Sequence, residues 1–272
     1  MRLPSQRRVA LDGKYLDDVD DSIVLQGVDC PPGRDVINAV SVGGISGQRV
    51  TGTRRDTLDI TVRFAIDIKR NTFKRLRSRS DVLEKVNKWA RSGGKLTLSW
   101  RDNRYADVVL AQAPGEGDIW QWTNEYSIVF RAYVVPYWQE ELDPILVDMF
   151  GAATNAGSVA VKVGGNTQTI AEEMIVQNRS GALINNLMVK VGSQKMQFGN
   201  LNMQAGERLR LYHNAEGIQL IVITGGGTTR SVMANRTPDS VDEFEVNPGT
   251  RTFSYEADRA VSLGITCRGR YL

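Results

Sequence analysis

Histidine is almost missing from this chain: among 272 residues there is one, His213. Ser-His-Asp and Cys-His arrangements would both have to be built on that single imidazole. A zinc site of histidine and cysteine lacks ligands, because the chain has just two cysteines, Cys30 and Cys267, far apart and in no metal spacing. Two cysteines are also too few to frame a secreted domain of this size with disulfides. Long apolar runs are absent as well. No window approaches the ~18 residues that a membrane helix needs. The basic start Met1-Arg2-Leu3-Pro4-Ser5-Gln6-Arg7-Arg8 is not followed by the apolar core of a signal peptide. These absences predict a soluble protein made in a reducing cytosol. Charge of one sign is missing too. The net charge is +3, but residues 1–145 hold 22 Lys+Arg against 20 Asp+Glu, and residues 146–272 hold 12 against 11. A DNA-binding domain concentrates its positive charge on one face or element, so sequence-specific nucleic-acid binding is not expected.

What is present is mostly strand. Thr57–Ile68 alternates apolar and polar residues for twelve positions, which puts Leu58, Ile60, Val62, Phe64, Ile66 and Ile68 on one face. Lys95–Trp100 and Tyr126–Tyr133 repeat the pattern, and Ala113-Pro114-Gly115-Glu116-Gly117-Asp118 reads as a turn. One helix interrupts the strands. Asn71 is placed to cap it, Phe73, Leu76, Val82, Leu83, Val86, Trp89 and Ala90 form its apolar stripe, and Ser92-Gly93-Gly94 ends it. Nine basic residues and two acidic ones lie between Lys69 and Arg91. Two readings stand: a contact with phosphate or an acidic partner, or a solvated face whose long stems cover the sheet beneath; the second is favoured.

Every tryptophan lies before residue 139, and small residues then gather at Phe150–Gly157. We read residues 1–142 as one domain, 143–157 as a linker and 158–272 as a second domain. The second is expected to be all strand: Val159–Val163, Met174–Asn178, Leu187–Val191, Lys195–Phe198, Arg208–Tyr212, Gln219–Ile223, Thr229–Met233, Thr250–Glu256 and Val261–Cys267. Short strands at close spacing with glycine-rich turns indicate a β-sandwich.

The residues that could carry chemistry are few. Alternation sets His213 on the face of Leu209 and Leu211, a structural position rather than a catalytic one. The glycine-rich Gly43–Gln48 and Thr224–Thr228 lack the Gly-Lys-Ser/Thr of a phosphate loop and read as hairpin turns. The tract Asp17-Asp18-Val19-Asp20-Asp21 could hold a hard cation but lacks the glycine and distal glutamate of an EF-hand. Glu172-Glu173 and Asp242-Glu243-Phe244-Glu245 could supply a glycosidase pair only if the fold set two carboxylates a fixed distance apart. No catalytic, cofactor-binding or metal-binding residue is assigned.

The order of pieces carries a resemblance. The long alternating strand, the helix ending in Trp89-Ala90-Arg91-Ser92-Gly93-Gly94, then Leu96-Thr97-Leu98, Trp122–Ile128, Phe130-Arg131-Ala132-Tyr133 and Pro136-Tyr137-Trp138 together resemble the N-terminal domain of siphophage distal tail proteins. Asn247–Tyr255 is similar to the closing Pro-Gly turn and strand of the family's second domain, and Arg268–Leu272 to its ending. The resemblance covers nearly the whole chain, and the first forty residues, with Cys30-Pro31-Pro32-Gly33, match least well. The resemblance implies a mainly β fold: an N-terminal β-sandwich or split-barrel-like domain with one helix, then a galectin-like or carbohydrate-module-like sandwich. It further implies a structural virion protein of the tail tip, made in the host bacterial cytoplasm. Such a protein would form a homo-hexameric ring joining the tail tube protein to the tip or baseplate hub protein, with the tape measure protein as a further partner. The family has no catalytic motif or cofactor to transfer. The alternatives are a carbohydrate-binding adhesin that contacts host glycan, and another tube or hub subunit. The lack of tryptophan in the second half argues against the first.

Overall fold

The computed structural model describes residues 7–31, 34–41, 48–67, 72–114, 125–141, 154–214 and 217–272. The chain divides into two compact units, Met1–Gln139 (with Leu272) and Glu140–Tyr271.

The first unit is built from β1 (Val9–Leu11), β2 (Lys14–Tyr15), β3 (Ile23–Asp29), β4 (Arg34–Ser41), β5 (Gln48–Ile66), helix α1 (Thr72–Arg91), β6 (Gly94–Leu98), β7 (Arg104–Gln112), β8 (Glu125–Ala132) and β9 (Trp138–Glu140). Its sheet runs β2-β1-β6-β7-β8-β5-β3, with antiparallel neighbours along that path. The alternation read from the sequence decides what is buried: Leu58, Ile60, Val62, Phe64 and Ile66 are 0–4% exposed. Ile68 lies outside the described residues. Helix α1 buries Val82, Leu83, Val86, Trp89 and Ala90 at helical spacing. Trp89 meets Phe130 edge-on at 5.9 Å and donates its indole N–H to the Lys14 carbonyl at 2.9 Å, so its polar atom is satisfied inside the core. Asn71 and the side chains of Phe73 and Leu76 are not among those described.

Gly93, with φ of +59°, ends the helix; a Cβ there would sit 2.7 Å from the Val108 carbonyl oxygen. Both the left-handed backbone and the close approach demand glycine.

β5 is longer than expected, 19 residues rather than twelve, and its two halves differ. Leu58–Ile66 lies inside the sheet between β8 and β3, whereas Gln48–Thr57 pairs with β4 alone among the described residues. The sequence reading missed β1 to β4 altogether.

The second unit contains β10 (Thr154–Val163), β11 (Thr169–Asn178), β12 (Leu187–Val191), β13 (Gln194–Phe198), β14 (Arg208–Asn214), β15 (Gly217–Ile223), β16 (Thr229–Ser231), β17 (Glu245–Val246), β18 (Gly249–Cys267) and β19 (Arg270–Tyr271). Each expected strand falls on an observed one, with two differences. Thr250–Glu256 and Val261–Cys267 are one continuous strand, β18, and β16 stops at Ser231 before a 3-10 turn at Met233–Asn235. Thr154–Gly157, placed in the linker by composition, already belong to β10; small residues pair into a ladder as well as larger ones when a long partner is available. The early part of β18 pairs with both β10 and β12, and the later part with β11, so one strand passes from one layer to the other. Between the layers lie Phe198, Phe244, Phe253, Met174, Met196 and Leu201, each 0–1% exposed.

Asn178 anchors one end of that core. Its side-chain amide donates to the carbonyls of Ala182, Met203 and Gln204 at 2.9–3.0 Å, and its Oδ1 accepts from Ser180 N–H and Oγ–H. It is 1% exposed, and these bonds are what permit an amide at that depth.

Candidate functional site

The structure disperses the candidate chemistry. His213, on β14, extends the buried row of Leu209 and Leu211 but stays half-buried. The sequence reading left it without neighbours; the fold supplies two. Nδ1 lies 3.2 Å from the Glu172 carbonyl oxygen and Nε2 lies 3.2 Å from a Glu243 carboxylate oxygen. Both neighbours are acceptors, so both contacts form together only when each ring nitrogen carries a proton. The contacts join β14 to β11 and to the segment ahead of β17, a cross-brace between elements.

Cys267 is buried, and burial, with a smaller contribution from Glu172, pushes its thiol up to about 12, so it is protonated at neutral pH and no nucleophile. The Cys30 thiol is also raised, by burial first; Arg101 pulls the other way and Asp29 adds to the rise.

Of the candidate carboxylates, Glu172, Glu173 and Asp242 meet arginines, whereas Glu243 meets His213 and Glu245 accepts from the Gln168 side-chain amide at 2.9 Å. Glu172 accepts from Arg268 at 2.8 Å, Glu173 from Arg210 at 2.6 Å, and Asp242 pairs with Arg236 at 2.5 Å. The Asp17–Asp21 tract is similarly occupied. Arg8 stacks over the Tyr15 ring at 3.6 Å and bonds Asp17 and Asp18, while Asp20 meets Lys85 of α1 at 2.8 Å. Burial works to raise the Asp20 carboxyl, but hydrogen bonds from Lys85 and Ser22 win and hold it below the usual range. Among the described residues no group of His, Cys, Asp and Glu could hold a metal ion, and no helix is long and apolar enough to cross a membrane.

Thr224–Thr228 is a hairpin turn between β15 and β16, closed by Thr224 N–H to the Thr228 carbonyl at 2.9 Å. Gly43–Gln48 lies outside the described residues except Gln48, the first residue of β5. On α1, Lys85, Lys88 and Arg91 are exposed. Ser80, Leu83, Asn87 and Lys88 line a shallow depression there with nothing convergent in it.

The features that stand out are surfaces, not pockets. The β4–β5 ribbon exposes Ile37 (61%), Val40 (54%) and Val50 (57%). On the sheet, Arg131 donates from Nε and one terminal nitrogen to the two Asp59 carboxylate oxygens at 2.5 and 2.7 Å and stacks on Tyr133 at 5.7 Å, and Val109, Tyr133 and Val134 are left exposed nearby in sequence and register. Sequence reasoning missed the ribbon because its β4 half sits in the first forty residues, where alternation is interrupted by two register shifts.

What these features define is a two-unit, mainly β protein in which many of the candidate polar groups brace neighbouring elements. Among solved structures, the chain is similar to SPP1 Dit (gp 19.1), a crystal structure presented as a paradigm of the hub adsorption apparatus in phages that infect Gram-positive bacteria. The TM-score is 0.67 at 14% identity, over 98% of this chain and 100% of that one. The fold is therefore that of SPP1 Dit from end to end. Chains of the phage P2 baseplate in its activated conformation, with calcium and with strontium, match at TM-scores of 0.43 and 0.42 and identities of 10% and 9%, over 96% of this chain and 97% and 98% of theirs. No family model and no curated protein sequence matches the chain.

Proposed function

We propose that this chain is a structural subunit of a bacteriophage tail, the distal tail protein that joins the tail tube to the tip or baseplate hub. The observation that carries the reading is the end-to-end correspondence of fold with SPP1 Dit, which leaves almost no part of either chain unmatched. The local chemistry supports a scaffold: Glu172, Glu173 and Asp242 are tied to arginines, and both thiols are shifted toward the neutral form. In this reading the protein acts by geometry and is not an enzyme. The first unit closes into a homo-hexameric ring around a DNA channel, one face meeting the tail tube protein and the other the tip protein, and the galectin-like second unit is carried outside. Closed rings suit a protein with long strands and free edges, because cyclic pairing removes the edges that would otherwise recruit further chains. Projection images of the purified full chain, alone and mixed with tail tube protein, test this. A closed six-fold ring with a central channel is expected; single particles of one subunit in both samples would overturn it.

A further inference from the structure

From the second unit we infer that the face of β18, β11 and β14 turned away from the core carries a phosphate-binding site, with Arg208 and Arg179 on either side of the Gln177 amide. The inference does not depend on the ring reading.

Alternation decides which side chains share that face. On β11, Met174 and Val176 belong to the core between the layers, so Ile175 and Gln177 stand on the other side. On β14, Leu209 and Leu211 take the core side and leave Arg208 and Arg210 outside; on β18, Val261 and Leu263 leave Ser262 outside. Gln177 lies opposite Arg208 on one neighbouring strand and opposite Ser262 on the other. The three side chains therefore form one row across the sheet.

That row is unfinished as a hydrogen-bonding arrangement. Gln177 is 8% exposed, yet its Oε1 has no partner among the described residues. A buried amide oxygen without a donor costs stability, and a ligand that brings the donor removes the cost. Arg208 is half-buried and its guanidinium has no acceptor among the described residues. Arg179 donates from Nε to Ser262 Oγ at 3.2 Å, which brings its head over the β18 end of the row, and its terminal nitrogens have no described partner. The carboxylates further along β11 are taken already. Glu173 accepts from Arg210, which also lies over Tyr212, and Glu172 accepts from Arg268. Arg179 and Arg208 are left as two cations without a counter-charge.

The chemistry of the row selects the ligand. A guanidinium is a planar fork that pairs with an oxyanion through two parallel hydrogen bonds. Two such forks match a phosphate group, with about −1.5 to −2 charges at neutral pH, better than a carboxylate with one. The amide oxygen asks in addition for a donor. Inorganic phosphate keeps a P–O–H at neutral pH, and a phosphate ester of a polyol brings hydroxyls of its own, whereas an ionised carboxylate only accepts. A phosphate group, free or esterified, thus answers both the cations and the amide.

Calorimetric titration of the full chain at fixed ionic strength is the test. Inorganic phosphate should bind, and acetate should not. Arg208→Gln and Arg179→Gln should each weaken phosphate binding about tenfold or more with unchanged circular dichroism. Lys190→Gln, the same loss of charge at an exposed position on β12, should leave binding unchanged. Gln177→Met should weaken binding yet melt no lower than the wild type, because it removes an unpartnered amide and keeps the shape. A second measurement needs no variant. Phosphate should shield Arg179 and Arg208 of the wild type from phenylglyoxal, read by mass spectrometry, while exposed Arg259 is labelled at an unchanged rate. Tighter binding of glycerol phosphate than of inorganic phosphate makes an ester the occupant, and the reverse order makes it the free ion; both uphold the site. Arginines that only shield the sheet with their stems would lower stability when replaced and leave phosphate without effect. That result, equal binding of acetate, or equal protection at Arg259 overturns the inference.

Discussion

At Asn178 a single amide satisfies three carbonyls and accepts from the Ser180 turn while 1% exposed. Asn178→Ala removes one donor from each of three carbonyls that keep a second partner (Ser180 Oγ–H, Ile184 N–H and Glu207 N–H) and frees the Ser180 turn, so a loss of about 1–3 kcal/mol is expected, read as a lower urea midpoint. Cys267 gives a pH signature. Its thiol titrates at about 12 in the fold against 9.0 unperturbed, so the folded form holds the proton more tightly. The associated stability is whole below pH 9 and is lost between pH 9 and about 12, at about 1.4 kcal/mol per pH unit. The wild type should lose stability faster than Cys267→Ala from pH 9 to 10.5; equal slopes in denaturant titrations would refute the assignment. His213 shows what a sequence conceals at this scale. Its strand face was readable from alternation, but Glu172 and Glu243 come to it from 41 and 30 residues away, and no local pattern encodes such a meeting.

Among the elements, α1 was the most legible. The part of its apolar stripe from Val82 to Ala90 and its glycine stop are local signals, and both are where the sequence puts them. Gly93→Ala tests the stop. It combines a positive φ with a Cβ 2.7 Å from a backbone oxygen, and should cost about 1–3 kcal/mol, lowering the melting temperature with little change in helix signal. Several strands of the second unit, such as β12 and β15, were legible because they alternate within themselves, while Met174–Asn178 of β11 is a short continuous buried run. The split of β18 into two expected strands has a physical origin: its burial pattern changes from alternating to continuous where it passes between layers, and a period-two reading breaks there. β1 to β4 were illegible because they are short, bulged or exposed. The β4–β5 ribbon is held by strand pairing rather than by a buried face, so it leaves no hydrophobic period to read.

For the molecule as a whole, the division at Gln139 and Glu140 falls close to the change of composition, while β10 begins inside the stretch assigned as linker. If the ring belongs to the first unit, residues 1–142 expressed alone should oligomerise in the presence of tail tube protein, and residues 154–272 should remain single in light scattering. A second fragment that drives assembly, or a first fragment that never assembles, would reverse the assignment of roles.

β18 also sets a timetable. It is the shared neighbour of β10, β11 and β12, all translated before it. Until Gly249–Cys267 emerges, those strands have an unfilled place beside them, and Phe253 and Leu263 are missing from the core they will help to seal. During synthesis the second unit therefore waits as an open, sticky intermediate and closes late, in one cooperative step. A released chain ending at residue 246 should be captured by chaperones, and the released full chain should not.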